Sequence, residues 1–221
     1  MKIVKYIKNS LIDFPRHIAC VAFTFGCNWR CWYCQNAQLL ENSTDLSLEF
    51  FSFLEARKGW IDGVVVCGGE PTIHEDLPQF IRKIKEMGFD VKLDTNGTNP
   101  KMLEYLITNN LVDYVAMDVK TSIEKLDDMA GVSVAREKVE ESKRILLDSK
   151  IEYEFRTTVT PDLTEFDIEE MAKGIAGAKR YILQPYLKPH FLPDAPEPLS
   201  IEILQKYVEI AKKYINNANL R

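Results

Sequence analysis

Short apolar, β-branched runs alternate along this chain with longer stretches in which apolar residues recur at helical spacing. Residues 18–25, 63–67, 91–95, 114–119, 153–159 and 181–184 have the length and composition of strands. Between them, Leu77, Phe80, Ile81, Ile84 and Met87 fall on one helical face, and Gly88 suits its end because glycine readily takes the left-handed turn that closes a helix. Ile168, Met171, Ala172 and Ile175 mark another helix, opened by Thr164 with Asp167 three residues on, the spacing of a capping box. Leu204, Tyr207, Val208, Ala211 and Ile215 mark a C-terminal amphipathic helix. The chain carries no short-period repeat, low-complexity segment or linker. Strand alternating with helix implies right-handed parallel crossovers, and six such units suit an open doubly wound sheet or an incomplete (β/α) barrel.

Polar residues on the strands favour the barrel. Period two puts Lys92, Asp94 and Asn96 on one face of the third predicted strand and Val91, Leu93 and Thr95 on the other. The same parity gathers Asp118 with Lys120, Glu154 with Arg156 and Thr158, and Gln184 with Tyr186. Charges recurring on one face are expensive in a plain apolar core. They suit a polar cavity at the C-terminal mouth of a barrel. The expected fold is therefore α/β, an incomplete (β/α)6 barrel of parallel strands with a C-terminal helix.

Length and composition narrow the class. A chain of 221 residues accommodates one domain over 1–221, with a core at about 16–186 and a C-terminal extension over 187–221. With 46% hydrophobic and 28% charged residues it has a globular composition. A net charge of −5 argues against a nucleic-acid partner, which usually meets a basic surface. No apolar run has the length of a membrane span, and the opening Met1-Lys2-Ile3-Val4-Lys5-Tyr6 lacks a signal-peptide core, so a cytoplasmic location without a membrane partner is expected. Of five cysteines, four lie between Cys20 and Cys34 and the last is Cys67. A disulfide scaffold would spread an even number across the chain, whereas clustering points to metal chemistry.

The segment Gly26-Cys27-Asn28-Trp29-Arg30-Cys31-Trp32-Tyr33-Cys34 follows the first predicted strand. Its C-x3-C-x2-C spacing brings three thiolates onto one short loop. Four-iron clusters normally have four cysteine ligands. Three leave one iron open, as a catalytic zinc keeps an open position. A structural zinc would need a fourth ligand, and His17, Cys20, Cys67 and His74 are the candidates. Cys20 and Cys67 lie inside apolar runs and read as buried structural thiols. After the second predicted strand, Gly68 and Gly69 let the backbone approach a neighbour closely, and Glu70 follows at once.

The cysteine spacing, with Tyr33 before the last cysteine, resembles the radical S-adenosylmethionine superfamily. The resemblance implies a 4Fe-4S cluster on Cys27, Cys31 and Cys34, whose open iron takes the amino and carboxylate groups of S-adenosylmethionine. It implies reductive cleavage of that cofactor to methionine and a 5′-deoxyadenosyl radical. Tyr33 would lie against the adenine, while Gly68, Gly69 and Glu70 would receive the amino group. Asp94-Thr95-Asn96-Gly97-Thr98, Met117-Asp118-Val119-Lys120, Arg156-Thr157-Thr158-Val159 and Leu183-Gln184-Pro185-Tyr186 stand at successive strand ends. Together they are similar to the activating enzymes of glycyl radical proteins. That likeness implies Thr95 and Asn96 by the ribose and methionine, Gln184 among the cofactor contacts, Lys120 and Arg156 facing the carboxylate, and Asp94 and Asp118 at a monovalent cation.

Ser10-Leu11-Ile12-Asp13-Phe14-Pro15 leading into Phe23-Thr24-Phe25-Gly26-Cys27-Asn28 resembles the activating proteins of anaerobic ribonucleoside-triphosphate reductase in their longer form. That group implies a glycyl radical enzyme as partner and a flavodoxin- or ferredoxin-type electron donor. Arg16 stands where the group commonly has glycine, and Gln35 where histidine is common after the last cysteine. Leu187 takes the place of the histidine that pyruvate formate-lyase activase has after its Pro-aromatic pair. These departures bear on the partner, not on the cofactor chemistry. Two other readings compete: a radical enzyme acting on a small molecule or peptide, and a non-enzymatic zinc module. Peptide modifiers often carry extra clusters, which the lack of cysteine beyond Cys67 disfavours. The zinc module leaves the strand-end motifs unexplained.

Overall fold

The computed structural model describes residues 1–40 and 44–221. Its strands are β1 (Ile3–Ser10), β2 (Ala19–Thr24), β3 (Gly63–Gly68), β4 (Asp90–Thr95), β5 (Tyr114–Asp118), β6 (Glu152–Val159), β7 (Tyr181–Pro185) and β8 (Ala218–Leu220). They follow one another in chain order in an eight-stranded sheet. β1 runs antiparallel to β2, whereas the β2–β3, β3–β4, β6–β7 and β7–β8 pairs are parallel. The helices are α1 (Ser47–Ala56), α2 (Leu77–Glu86), α3 (Pro100–Thr108), α4 (Leu126–Ala130), α5 (Arg136–Asp148), α6 (Glu165–Gly174) and α7 (Ile201–Lys212).

The six strands expected from the sequence are β2 to β7, and the α/β class is as expected. Two strands were not. β1 adds an antiparallel partner ahead of the parallel set, so the cysteine loop follows the second strand rather than the first. β8 follows α7, so the C-terminal helix is not the last element, and residues 187–221 contribute a strand to the sheet.

The backbone groups into two compact units: residues 1–28 with 36–115, and residues 29–35 with 116–221. In the first, Phe14 packs with Ala19, Val21, Phe23, Val65 and Tyr114. Its ring lies where Gly63 has no side chain, since a Cβ there would be 2.8 Å from it. Arg16, in the same connection, is held in the left-handed region at φ 67, which explains why glycine suits that position. Cys20 is fully buried as expected, and burial pushes its thiol up to about 12. Cys67, expected to be buried, is only half-buried because it stands near the end of β3.

In the second unit α6 opens with the expected capping box. Thr164 Oγ1 accepts from Asp167 N, and Asp167 Oδ2 accepts in return from Thr164 N. Glu154 of β6 is completely buried, and Arg221 beyond β8 pairs with it at 2.8 Å.

Candidate active site

In the first unit, β3 ends against the start of the cysteine loop. Gly69 N donates to Thr24 O at 3.1 Å and Glu70 N to Gly26 O at 2.9 Å. A Cβ on Gly68 would strike the backbone nitrogen of Thr24, and one on Gly69 the carbonyl oxygen of Gly26. The two glycines are thus required by backbone–backbone approach. Glu70 is buried and anchors the mouth of β4. Its Oε1 accepts from Thr72 N (3.1 Å), Thr72 Oγ1 (2.6 Å) and Thr95 Oγ1 (2.7 Å), and its Oε2 from Asn96 N (2.6 Å). Burial, the largest influence, raises the Glu70 carboxyl, and the four donors offset this only in part.

Asn96 carries the network to Asn28, the neighbour of Cys27. Its Nδ2 donates to Asn28 Oδ1 at 2.9 Å, and its Oδ1 accepts from Thr98 Oγ1 at 2.7 Å. Asn28, next to Cys27, donates in turn to Thr98 Oγ1 at 2.8 Å. Glu70, Thr95 and Asn96 are therefore brought together, joined by Thr72, Asn28 and Thr98, which the sequence reading left without roles. Only their places inside quoted motifs pointed to them. Asp94 pairs at 3.2 Å with Lys92, whose side chain is fully buried and also donates to Asp13 O.

In the second unit, Asp118, Lys120 and Arg156 converge. Lys120 Nζ donates to Asp118 Oδ2 at 2.9 Å, while Arg156 Nε and Nη2 donate to Asp118 Oδ1 at 3.1 and 3.0 Å. Burial works to raise the Asp118 carboxyl, but the two cations outweigh it and hold it at about 2. Burial opposes the charge of Lys120, yet Asp118 keeps it well above the ordinary lysine value. Lys120 also lies 5.8 Å from the ring centre of Trp29 and 5.9 Å from that of Tyr33, within cation–π range. Burial raises the Cys31 thiol, and Lys120 acts in the opposite direction. Gln184, half-buried on β7, stands in register with Thr158 of β6. The departures at Gln35 and Leu187 meet: Gln35 Nε2 donates to Leu187 O at 2.6 Å.

Two of the candidate zinc ligands, the histidines, are engaged elsewhere. His17 lies 2.8 Å from Pro15 O and 3.0 Å from Asp90, and His74 lies 2.8 Å from Phe25 O. Among the described residues, no group of three or more His, Cys, Asp and Glu side chains is set around a single metal ion, whereas the cysteines of a four-iron cluster each bind a different iron.

Parallel strands with polar residues at their C-terminal ends, and a three-cysteine loop after one of them, define an enzyme of the cluster-bearing α/β class. The match confirms it: the family model for the radical S-adenosylmethionine superfamily covers residues 21–175, and the chain belongs to that superfamily. A Methanocaldococcus jannaschii protein with the provisional name glycyl-radical enzyme activating enzyme is 36% identical over 96% of this chain and 92% of its own. A second protein of that organism, with the same provisional name, is 28% identical over 89% and 78%. Among solved structures, Streptococcus suis SuiB bound to precursor peptide SuiA has a TM-score of 0.74 at 16% identity. That alignment covers 91% of this chain but only 48% of SuiB.

The superfamily's cofactors are a 4Fe-4S cluster and S-adenosylmethionine, and the residues present fit them. Cys27, Cys31 and Cys34 are each half-buried, unlike the buried Cys20. The Tyr33 hydroxyl is buried without a hydrogen-bond partner among the described residues, as expected of a group that awaits a polar ligand. Among the described residues no helix is long and apolar enough to cross a membrane.

Proposed function

We propose that this enzyme activates a glycyl radical enzyme, with anaerobic ribonucleoside-triphosphate reductase as its partner. The observation that carries the reading is the relative of that provisional name, 36% identical along almost the whole of both chains. When bound, the reduced cluster would supply the one electron that cleaves S-adenosylmethionine to methionine and a 5′-deoxyadenosyl radical, and the hydrogen atom this radical takes would come from a backbone glycine of the partner.

The chain's own residues bind and orient. Cys27, Cys31 and Cys34 hold the cluster. Gly68, Gly69 and Glu70 shape the wall that receives the methionine amino group, with Glu70 bracing Thr95 and Asn96 on the ribose side. Lys120 and Arg156 face the carboxylate, because an anion in a half-buried site needs charge-assisted donors. Tyr33 lies along the adenine, and Gln184 closes the set from β7. Residues 1–221 act as one catalytic domain in the cytoplasm, reduced by a flavodoxin or ferredoxin.

The monovalent cation expected at Asp94 and Asp118 has a rival in the chain itself. Lys92 pairs with Asp94, and Lys120 and Arg156 pair with Asp118. Equal cleavage rates in potassium and in a bulky organic cation would identify these side chains as sufficient.

The decisive experiment mixes the anaerobically reconstituted, reduced protein with S-adenosylmethionine and an anaerobic ribonucleotide reductase. A glycyl doublet in electron paramagnetic resonance, with 5′-deoxyadenosine formed in equal amount, is the expected result. If no glycine-bearing protein gives that doublet while a small metabolite stimulates cleavage and is consumed, the partner reading fails and the same cluster serves a small substrate.

A further inference from the structure

Arg30 immediately precedes Cys31, and its backbone is gripped by a segment that the sequence does not link to the loop. Arg30 N donates to the carbonyl of Ala130, the last residue of α4, at 2.6 Å. Gly131 then closes α4 in the left-handed conformation at φ 65. It presses on the same residue, since a Cβ at position 131 would lie 2.7 Å from Arg30 O and 3.3 Å from Arg30 C.

This short helix is itself anchored. Leu126, Met129 and Ala130 are buried. Just before it, Lys125 Nζ lies 2.8 Å from the Asp167 carboxylate, and Ser122 Oγ lies 3.4 Å from it. Asp167 has no exposed side-chain surface and belongs to the capping box of α6. On the other side of Gly131, Asp127 accepts from Val134 N at 3.0 Å and pairs with Arg136 at 3.3 Å. The position of Arg30 passes on along the loop, because Cys34 N donates to Cys31 O at 3.1 Å.

We infer that α4 and Gly131 form a clamp on the cysteine loop, and that Gly131 is a positioning residue for Cys31 and Cys34. Three thiolates on one compact cluster must hold their places to a fraction of an ångström, and that precision comes from the supporting residues. At position 131 glycine meets two demands at once: a positive φ and the absence of a Cβ against Arg30. The inference concerns how the loop is held and is independent of which substrate the enzyme takes.

The test compares three full-length variants. Gly131→Ala combines backbone strain with the Arg30 contact. Gly131→Asn keeps the contact but relieves much of the strain, since asparagine tolerates the left-handed region. Gly177→Ala supplies strain alone, because Gly177 has φ 81 and nothing within 4 Å of its added Cβ. Alkylation of Cys31 and Cys34 by iodoacetamide, resolved by mass spectrometry on the metal-free protein, reads the loop directly. Loss of iron to a chelator reads it in the reconstituted protein. Both rates should rise several-fold in Gly131→Asn and stay at the wild-type value in Gly177→Ala. Unchanged rates in Gly131→Asn, or an equal rise in Gly177→Ala, would overturn the clamp.

Discussion

Two of the four hydrogen bonds accepted by Glu70 come from backbone N–H groups, and they reach different oxygens: Thr72 N to Oε1 and Asn96 N to Oε2. A carboxylate meets both, but a carboxamide has only one acceptor oxygen and must turn its NH2 toward one of these donors. The threonine hydroxyls can rotate to adapt; the backbone cannot. Glu70→Gln should therefore cost roughly 1–3 kcal/mol of stability, the usual penalty for a buried group left unsatisfied. It should also weaken S-adenosylmethionine binding, because Thr95 and Asn96 lose their brace. Equilibrium unfolding and a titration with S-adenosylmethionine check the two effects, and a variant as stable as wild type would show that β4 is fixed by other means. The sequence made this carboxylate visible, as well as the glycines before it, but not their neighbours. Two glycines announce that something comes close. That the close neighbours are Thr24 and Gly26, on the chain's own β2 end and cysteine loop, appears only once β3 is laid beside β2.

The elements divide between those that periodicity reveals and those that pairing creates. α2 and α6 were legible because each carries a buried stripe together with its terminal signal, Gly88 beyond one and the Thr164 box at the other. β1 was not, since its central residues alternate weakly and it is an edge strand with Lys5 and Lys8 on it. β8 is three residues long, too short to show a period, and is defined by its ladder to β7. α4 is five residues long, and its importance lies in what it touches. At α6, the cap was legible but Lys125 was not, so the sequence understated what Asp167 does. Burial works to raise the Asp167 carboxyl, yet Lys125 and the Thr164 groups outweigh it and hold it below the ordinary carboxylate value. A carboxyl lowered on folding stabilises fully above the ordinary carboxylate range, and that stability is lost as pH falls through the range to the lower folded value. Asp167→Asn should thus be less stable than wild type at neutral pH, and the gap should narrow in acid. Melting temperatures followed from neutrality down to about pH 2.5 test this, and a gap independent of pH would mean that the charge of Asp167 contributes nothing.

At the scale of the whole molecule, elements outside the expected core complete the charge balance of the strands inside it. The polar parity that suggested a cavity mixes two kinds of residue. Asp118, Lys120 and Arg156 converge on one another as ion pairs. Lys92 and Glu154 lie deeper, and both side chains are wholly buried. Lys92 is met by Asp94 and by the carbonyl of Asp13, from the connection between β1 and β2. Glu154 is met by Arg221, which donates to both of its oxygens, at 3.0 and 2.8 Å. A pattern of alternating charges cannot distinguish a residue that faces a ligand from one whose counterion arrives 67 positions later. Residues 187–221 are therefore not an appendage to their unit, and removing them should cost stability before it costs chemistry. Arg221→Ala breaks the pair at its half-exposed end, so its cost should fall at or below the lower end of the ~3–5 kcal/mol typical of a buried pair that loses one partner. Changing Glu154 to Gln in that background removes the stranded charge and should recover part of the loss. Truncation after Asn217 also removes the β7–β8 ladder and should be worse than Arg221→Ala. Denaturant unfolding of the three proteins gives the order directly. If Arg221→Ala matches wild type, or if Glu154→Gln fails to offset it, the ion pair carries no net stability and β8 holds through its backbone ladder alone.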